Sequence, residues 1–385
     1  MDKSLYQPVM WLILGALIVG LMVVNGWLAW FQRRAMQEEC LRDACAQQLR
    51  FLKSARLMLW GFVAVLFLGG IASWYAEQYS IRQATAAVRQ KLWPVYDTGK
   101  IWEAPDPYLA LSDKHSKRIE YGRQLISNTQ DYFGPEGIVS PNSINGLNCQ
   151  SCHLDAGTKA FGNNYFAVAS TYPLMRARSG TLETIPKRVN DCFERSLNGK
   201  ALDTTSQEMQ AIVAYIQFLG TGVPKGAKPK GSGLMEVKPL DRAADPAKGE
   251  AIYAGKCASC HGADGQGIAM PDGSGNHYPP LWGARSYNQA AGLFRLSRFA
   301  GYIKANMPFG ATYENPQLSD EECWDLAAFV NSKPRPEHPF LAADWPKIEK
   351  KPYDHPFGPF ADTFPEQQHK FGPFEPIIAF QKINK

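Results

Sequence analysis

Two copies of one motif constrain this chain more than anything else in it: Cys149-x-x-Cys152-His153 and Cys257-x-x-Cys260-His261. The spacing sets two thiols on one edge of a porphyrin, for thioether bonds to its vinyl groups, while the histidine reaches the iron. A zinc site would need four ligands, usually as two close pairs, and here the pairs lie over a hundred residues apart. The motifs therefore read as two covalently bound haem c groups, attached through Cys149, Cys152, Cys257 and Cys260, with His153 and His261 as proximal iron ligands.

The surroundings of the motifs repeat as well. Ser116 to Tyr132 reads as a helix leading to the first motif, and Asp245-Pro246, an N-cap followed by Pro at the first helical position, opens one leading to the second. Capping boxes at Thr205-x-x-Glu208 and Ser319-x-x-Glu322 start a closing helix in each module. Met209, Ile212, Val213, Ile216 and Leu219 follow helical spacing in the first of these, as do Trp324, Leu326, Ala327 and Val330 in the second. The plan predicts a mainly α protein with two class I cytochrome c-like domains, residues 76–225 and 226–337, whose helices cross beside the haem. Thr221 to Gly233, rich in Pro, Gly and Lys, reads as a linker. Residues 338–385 are too rich in Pro and Gly for long helices and too aromatic for disorder, so an extended tail packed over the domains is expected. Cys323 reads as a small buried hydrophobe.

Two uncharged apolar runs, about 9–31 and 57–75, precede these domains. Each is long enough to span a bilayer, with Trp27, Trp30, Trp74 and Tyr75 near the ends. The first run alone could be a secretory signal, but it is long for one and lacks a small-residue cleavage site. Residues 1–75 are thus expected to form a retained two-helix transmembrane hairpin. Its loop carries Arg33, Arg34, Arg42, Arg50, Lys53 and Arg56, which by the positive-inside rule is cytoplasmic. That makes a two-pass protein of a bacterial inner membrane with its haem domains in the periplasm. Cys40 and Cys45 then lie in the reducing cytoplasm as inert thiols, and eight cysteines in 385 residues are too few for a disulfide scaffold. The net charge of +5, without a block of like charge, favours anionic small molecules or a membrane surface. No nucleic-acid-binding motif is present.

Each iron has a second axial position to fill. Met307 lies 46 residues after His261 and 12 before Ser319, and a Met-Pro pair before the closing helix suits a thioether ligand, which raises the potential. Met270, nine residues after His261, is the alternative. In the first domain the same slot holds Cys192, 39 residues after His153 and 13 before Thr205. A thiolate there would lower the haem potential and set a redox-active sulfur at the iron. A buried structural thiol is the competing reading of Cys192, and Met175 is a rival ligand out of register. Arg176, Arg178, Lys187, Arg188 and Arg195 surround Cys192 in sequence. They form either a solvated basic surface or a pocket for oxyanions, which arginine binds with a planar fork of donors.

At these residues the chain resembles the thiosulfate dehydrogenases, dihaem c-type cytochromes that join two thiosulfates into tetrathionate. The resemblance rests on the two haem motifs, Ser170-Thr-Tyr-Pro-Leu174, Arg178-Ser-Gly180, Arg188-Val-Asn-Asp-Cys192-Phe193, Arg195-Ser-Leu-Asn-Gly199, Asn306-Met307-Pro308 and the Phe-Gly-Pro tail. It implies an active-site haem ligated by His153 and Cys192, substrate held by Arg178 and Arg188, and an electron-relay haem ligated by His261 and Met307. It also implies tetrathionate formation or the reverse, and an acceptor such as a cytochrome c or terminal oxidase. Some members carry a lysine before the methionine and exchange ligands on reduction; Asn306 stands there in this chain. The apolar hairpin departs from the soluble members and implies docking to a membrane complex. It also motivates a different class, a non-catalytic dihaem electron carrier within a respiratory complex.

Overall fold

The structure, a computed structural model, describes residues 3–37, 43–92, 96–105, 114–271, 275–339 and 341–384. It divides into two compact units, Met1–Gln90 and Lys91–Lys385. The first holds two long helices, Lys3–Gln37 and Asp43–Leu92, tied where Arg56 Nε donates to the buried Asn25 Oδ1 at 3.0 Å. The second helix runs on past position 75 to Leu92. Among the described residues one stretch, Arg50–Gln83, is long and apolar enough to cross a membrane, with a mean hydropathy of 2.0. The first helix contributes the shorter apolar run Ile18–Phe31. Large apolar side chains of both helices, among them Trp27, Phe51, Leu57, Phe62 and Leu68, are exposed. Cys40 and the side chain of Cys45 lie outside the described residues.

The second unit is mainly helical and is built on two crossed helix pairs. Helix Lys114–Ser127 packs against Gln207–Leu219, and helix Pro246–Lys256 against Asp320–Ser332. Each pair meets at a glycine. A Cβ on Gly122 would lie 2.1 Å from the Ala211 carbonyl oxygen, and one on Gly249 would lie 2.0 Å from that of Asp325, so neither crossing tolerates a side chain. Leu125, Phe133, Phe193, Ile212 and Tyr215 fill one core; Tyr253, Trp282, Phe299, Trp324 and Phe329 fill the other. Cys323 is fully buried in the second core, as a small hydrophobe would be.

The caps explain where the helices start. Asp245 accepts from Ala247 N and Lys248 N ahead of Pro246, and the Ser319–Glu322 capping box is complete in both directions. In the first pair the cap falls one residue later than the Thr205 box predicts. Asp203 captures both the amide and the hydroxyl of Thr205 at 2.8 Å, and Ser206 accepts from Met209 N instead. The helix expected over 116–132 breaks into Lys114–Ser127 and Thr129–Phe133. The break frees Thr129 Oγ1 to accept from Cys149 N at 2.9 Å and Gln130 N to donate to Asn148 Oδ1 at 2.9 Å, so it seats the first haem motif.

Two stretches are more ordered than their composition suggests. Residues 221–233 are not a free linker, since the Gly231 carbonyl accepts from Phe161 N and Asn164 Nδ2, and the Gly233 carbonyl from Asn163 N. The tail is not extended throughout either. It forms helices Glu366–Phe371 and Glu375–Ile383, and Phe371, Phe374 and Ile377 enter the second core. The two cores are stitched together by polar side chains. Tyr302 Oη donates to Ser151 O at 3.0 Å, Asn306 Nδ2 to Phe161 O at 3.1 Å, and Asn288 Nδ2 to Glu194 O at 2.8 Å.

Candidate active site

The first haem motif starts in a 3-10 turn, Cys149–Ser151, capped reciprocally by Asn148 and Ser151. His153 follows, its ring stacked 4.5 Å from that of buried Tyr165. Its Nδ1 is 2.5 Å from the Asn163 carbonyl oxygen. A carbonyl only accepts, so Nδ1 carries the proton and Nε2 is the nitrogen left to meet Cys192, a support typical of metal-ligating histidines. Cys149, Cys152, His153 and Cys192 line one cleft of about 900 Å³ with apolar walls from Ile126, Leu147, Val189, Phe193 and Ile216. The donor set and the apolar walls fit a c-type haem.

Helix Ile185–Arg195 positions the opposite wall. Thr184 caps it by accepting from Lys187 N, and Pro186 stands in its first turn. Arg188 and Cys192 are four residues apart and so share a face. Arg188 Nη1 lies 3.1 Å from Cys192 Sγ. Burial pushes the Cys192 thiol up, but the Arg188 charge and the His153 ring outweigh it and bring the thiol down to about 6. The Cys192 charge in turn raises the Arg188 pKa above its ordinary value. Both shifts describe one thiolate–guanidinium pair. Met175 is 68% exposed on strand Leu174–Arg176 and lines neither cleft, which removes it as a rival to Cys192.

A second cleft of about 920 Å³ shares Cys152, His153, Arg188 and Cys192 with the first. Six arginines line it: Arg176, Arg178, Arg188, Arg195, Arg295 and Arg298. Strands Leu174–Arg176 and Thr181–Glu183 pair antiparallel, with Arg176 opposite Thr181, and Arg178 lies in their turn. Arg176 contacts Glu183 at 2.9 Å and Asp191 at 3.1 Å. Arg195 holds Asp344 through two bonds of 2.7 and 2.9 Å. Buried Arg178 donates to Ala290 O at 3.0 Å and lies 3.8 Å from Asp344. Burial, then the Arg195 charge, lowers its pKa to about 9. Lys187 is half-exposed, pairs with Asp191 at 3.5 Å and does not line the clefts. Of the five cations around Cys192 in sequence, four thus face the cleft.

The second motif repeats the histidine's support. His261 Nδ1 is 3.0 Å from the Pro279 carbonyl oxygen, which leaves Nε2 free. Burial lowers the His261 pKa, favouring the neutral ring a metal binds. Cys257 and Met307 pack on the same core, and Met307 caps the end of helix Leu296–Asn306. This half also fits a c-type haem. Asn306 is buried and donates to Phe161 O and Tyr302 O, so it brings no amine to an iron. Sequence reasoning missed the carbonyls of Asn163 and Pro279, and it missed Arg295, Arg298, Asp344 and Trp345. The last four lie over a hundred residues from Cys192, and no local pattern joins them to it.

Residues 140–224 match the family described as SoxA/TsdA, cytochrome c domain, and residues 246–333 match cytochrome c. Two such domains imply covalently bound haem c. A curated thiosulfate dehydrogenase from Psychrobacter arcticus is 38% identical over 244 residues, 63% of this chain and 71% of that protein. One from Allochromatium vinosum is 44% identical over 226 residues, 57% of this chain and 78% of that protein. Among solved structures, a thiosulfate dehydrogenase (TsdBA) from Marichromatium purpuratum in its "as isolated" form is 30% identical with a TM-score of 0.57. That match covers 62% of this chain, which spans half the length of the solved one.

Proposed function

The chain belongs to the thiosulfate dehydrogenase family, and from that premise we propose that it joins two thiosulfate ions into tetrathionate at Cys192. The observation that carries the reading is the Arg188–Cys192 contact of 3.1 Å, in a cleft walled by arginines and shared with a haem motif. Cys149, Cys152, His153 and Cys192 would hold one haem c, and Cys257, Cys260, His261 and Met307 the other. When bound, haem c supplies a one-electron acceptor for the oxidation.

The protein's own groups do the rest. Arg188 keeps the Cys192 sulfur as a thiolate, the nucleophilic form. Arg178 and Arg188 hold the sulfonate of the first thiosulfate. The Cys192 sulfur bonds to the sulfane sulfur, and the two electrons released would be taken up one by each of the two haems when these are bound. A second thiosulfate then attacks the adduct's sulfane sulfur, Cys192 departs as a thiolate, and tetrathionate is released with no further change of oxidation state. The same parts run the reverse reaction.

We further propose that residues 1–75 anchor the protein in a bacterial inner membrane by spans at about 9–31 and 57–75. The domains at 76–225 and 226–337 would then be periplasmic, with the 338–385 tail packed on them, and electrons would pass to a cytochrome c or terminal oxidase in a membrane complex. The apolar stretch Arg50–Gln83 and the exposed apolar side chains of both long helices support this.

Purified holoprotein given thiosulfate is expected to form tetrathionate with reduction of its haems, and Cys192→Ala to do neither. Wild-type protein that forms no tetrathionate would overturn the reading. Carbonate washing of membranes tests the anchor, which predicts that the full chain stays in the pellet.

A further inference from the structure

Joining two thiosulfates brings two sulfonates into one cleft, one at each end of the product. The six arginines of the second cleft are not equally available. Arg176, Arg195 and Arg295 are matched by carboxylates, the last through Asp354 at 2.5 and 2.8 Å. Arg178 is tied to Ala290 O beside Asp344, and Arg188 faces the Cys192 sulfur. Arg298 differs. It projects from helix Leu296–Asn306 and lines the same cleft, yet among the described residues its guanidinium has no hydrogen bond or ion pair. Asp354 and Glu236 are close enough for their charges to be felt, but Asp354 is engaged by Arg295 and Ser297. A partly buried, unmatched cation in the cleft that also holds Cys192 is costly unless an anion completes it.

Trp345 makes the second observation. It comes from the tail, lines the cleft, and its indole Nε1–H is buried without a hydrogen-bond partner. A buried donor without a partner calls for an explanation, such as a ligand that it would meet. The residue also sits at φ +65°, in the left-handed region that a bulky residue rarely adopts. Its amide donates to the Arg178 carbonyl at 2.6 Å, and its ring lies 5.7 Å from the Arg178 guanidinium. Strained backbone of this kind persists where the surroundings fix it, often at ligand sites.

We propose that Arg298 and the Trp345 indole N–H form a second sulfonate site, which receives the thiosulfate that attacks the Cys192 adduct. The proposal rests on the thiosulfate reading above. In the step it serves, a bond forms between the two sulfane sulfurs and the bond to Cys192 Sγ breaks. The electron pair returns to Cys192, so no oxidant is consumed. Both sulfonates keep their charge, and Arg298 carries that of the incoming ion.

The test separates the two halves of the reaction. Oxidised holoprotein receives one equivalent of thiosulfate, and the adduct on Cys192 is measured by intact mass. A second portion is then titrated in while adduct loss and tetrathionate release are followed. Arg298→Gln is expected to form the adduct within about twofold of wild type. Its half-saturation for release should rise about tenfold to a hundredfold, as for loss of a charge-assisted bond. Arg298→Lys should recover part of this, and Trp345→Phe, which removes only the N–H, should raise it severalfold. Unchanged release in Arg298→Gln, with a shifted potential of the first haem, would mean that Arg298 pairs with a haem carboxylate and would overturn the proposal. Wild-type protein that forms no adduct would instead overturn the thiosulfate reading itself.

Discussion

In both halves of the second unit a C-x-x-C-H motif follows a helix that crosses a later one at a glycine, Gly122 in one and Gly249 in the other. In both, the motif's histidine is steadied by a backbone carbonyl, Asn163 or Pro279. The difference lies in the slot before the closing helix. Met307 packs against the apolar second core, and the nearest cation in sequence, Lys304, is paired with Asp320 at 2.7 Å. Cys192 faces a cleft walled by six arginines, one of them 3.1 Å from its sulfur. On the proposed reading, one frame serves two tasks. An apolar thioether slot suits passing electrons, and a charged, open thiolate slot suits holding an anion against a reactive sulfur.

Making the first slot like the second is the severest way to break this comparison. Cys192→Met is expected to lower tetrathionate formation at least about a thousandfold, as loss of a nucleophile does, while both haems stay attached. Next comes the charge beside the sulfur. Arg188→Ala should cost about 10² to 10³ in turnover, with Arg188→Lys between it and wild type, measured as kcat and KM for thiosulfate. Asp344 balances Arg195 and Arg178 from the tail, so Asp344→Ala leaves Arg178 without an ion pair and Arg195 with only its 3.9 Å contact to Asp191. It should destabilise the haem domains by roughly 3 kcal/mol in denaturant unfolding and leave the haem spectra unchanged.

The smallest effect is a pH dependence confined to the tail. Burial holds buried His355 neutral and lowers its pKa to about 4; its ring lies 5.9 Å from that of Trp345. The folded value lies below the unfolded one, so the unfolded chain takes up the proton first. The contribution is complete above about pH 6.5 and is lost as pH falls towards about 4. Stability should fall by about 2 kcal/mol between pH 7 and pH 5, and His355→Gln should remove that slope in urea unfolding measured at both pH values.

What the sequence made legible was local or repeated. The Ser319–Glu322 capping box, the Asp245-Pro246 start and the burial of Cys323 follow from a few adjacent residues. The candidacy of Cys192 followed from register alone, because Met307 marks the same place in the second copy. The cap at Ser206 was misplaced by one residue because Asp203 competes for Thr205, a choice that propensity does not rank. Residues 221–233 carry the composition of a linker, yet their carbonyls are taken up by Asn163 and Asn164. The far wall of the cleft, with Arg295, Arg298 and Trp345, was invisible because the second domain and the tail bring it to Cys192 across long loops.

On this reading one residue, Cys192 in place of methionine, separates a sulfur-chemistry centre from an electron relay. A redox titration of wild type beside Cys192→Met tests it most directly. The account predicts two well-separated potentials in the wild type, the lower from the thiolate-ligated first haem, and in the variant a rise of that lower potential towards the second haem's. A wild type whose two haems titrate together as thioether-ligated centres, or a variant with an unmoved lower potential, would contradict it.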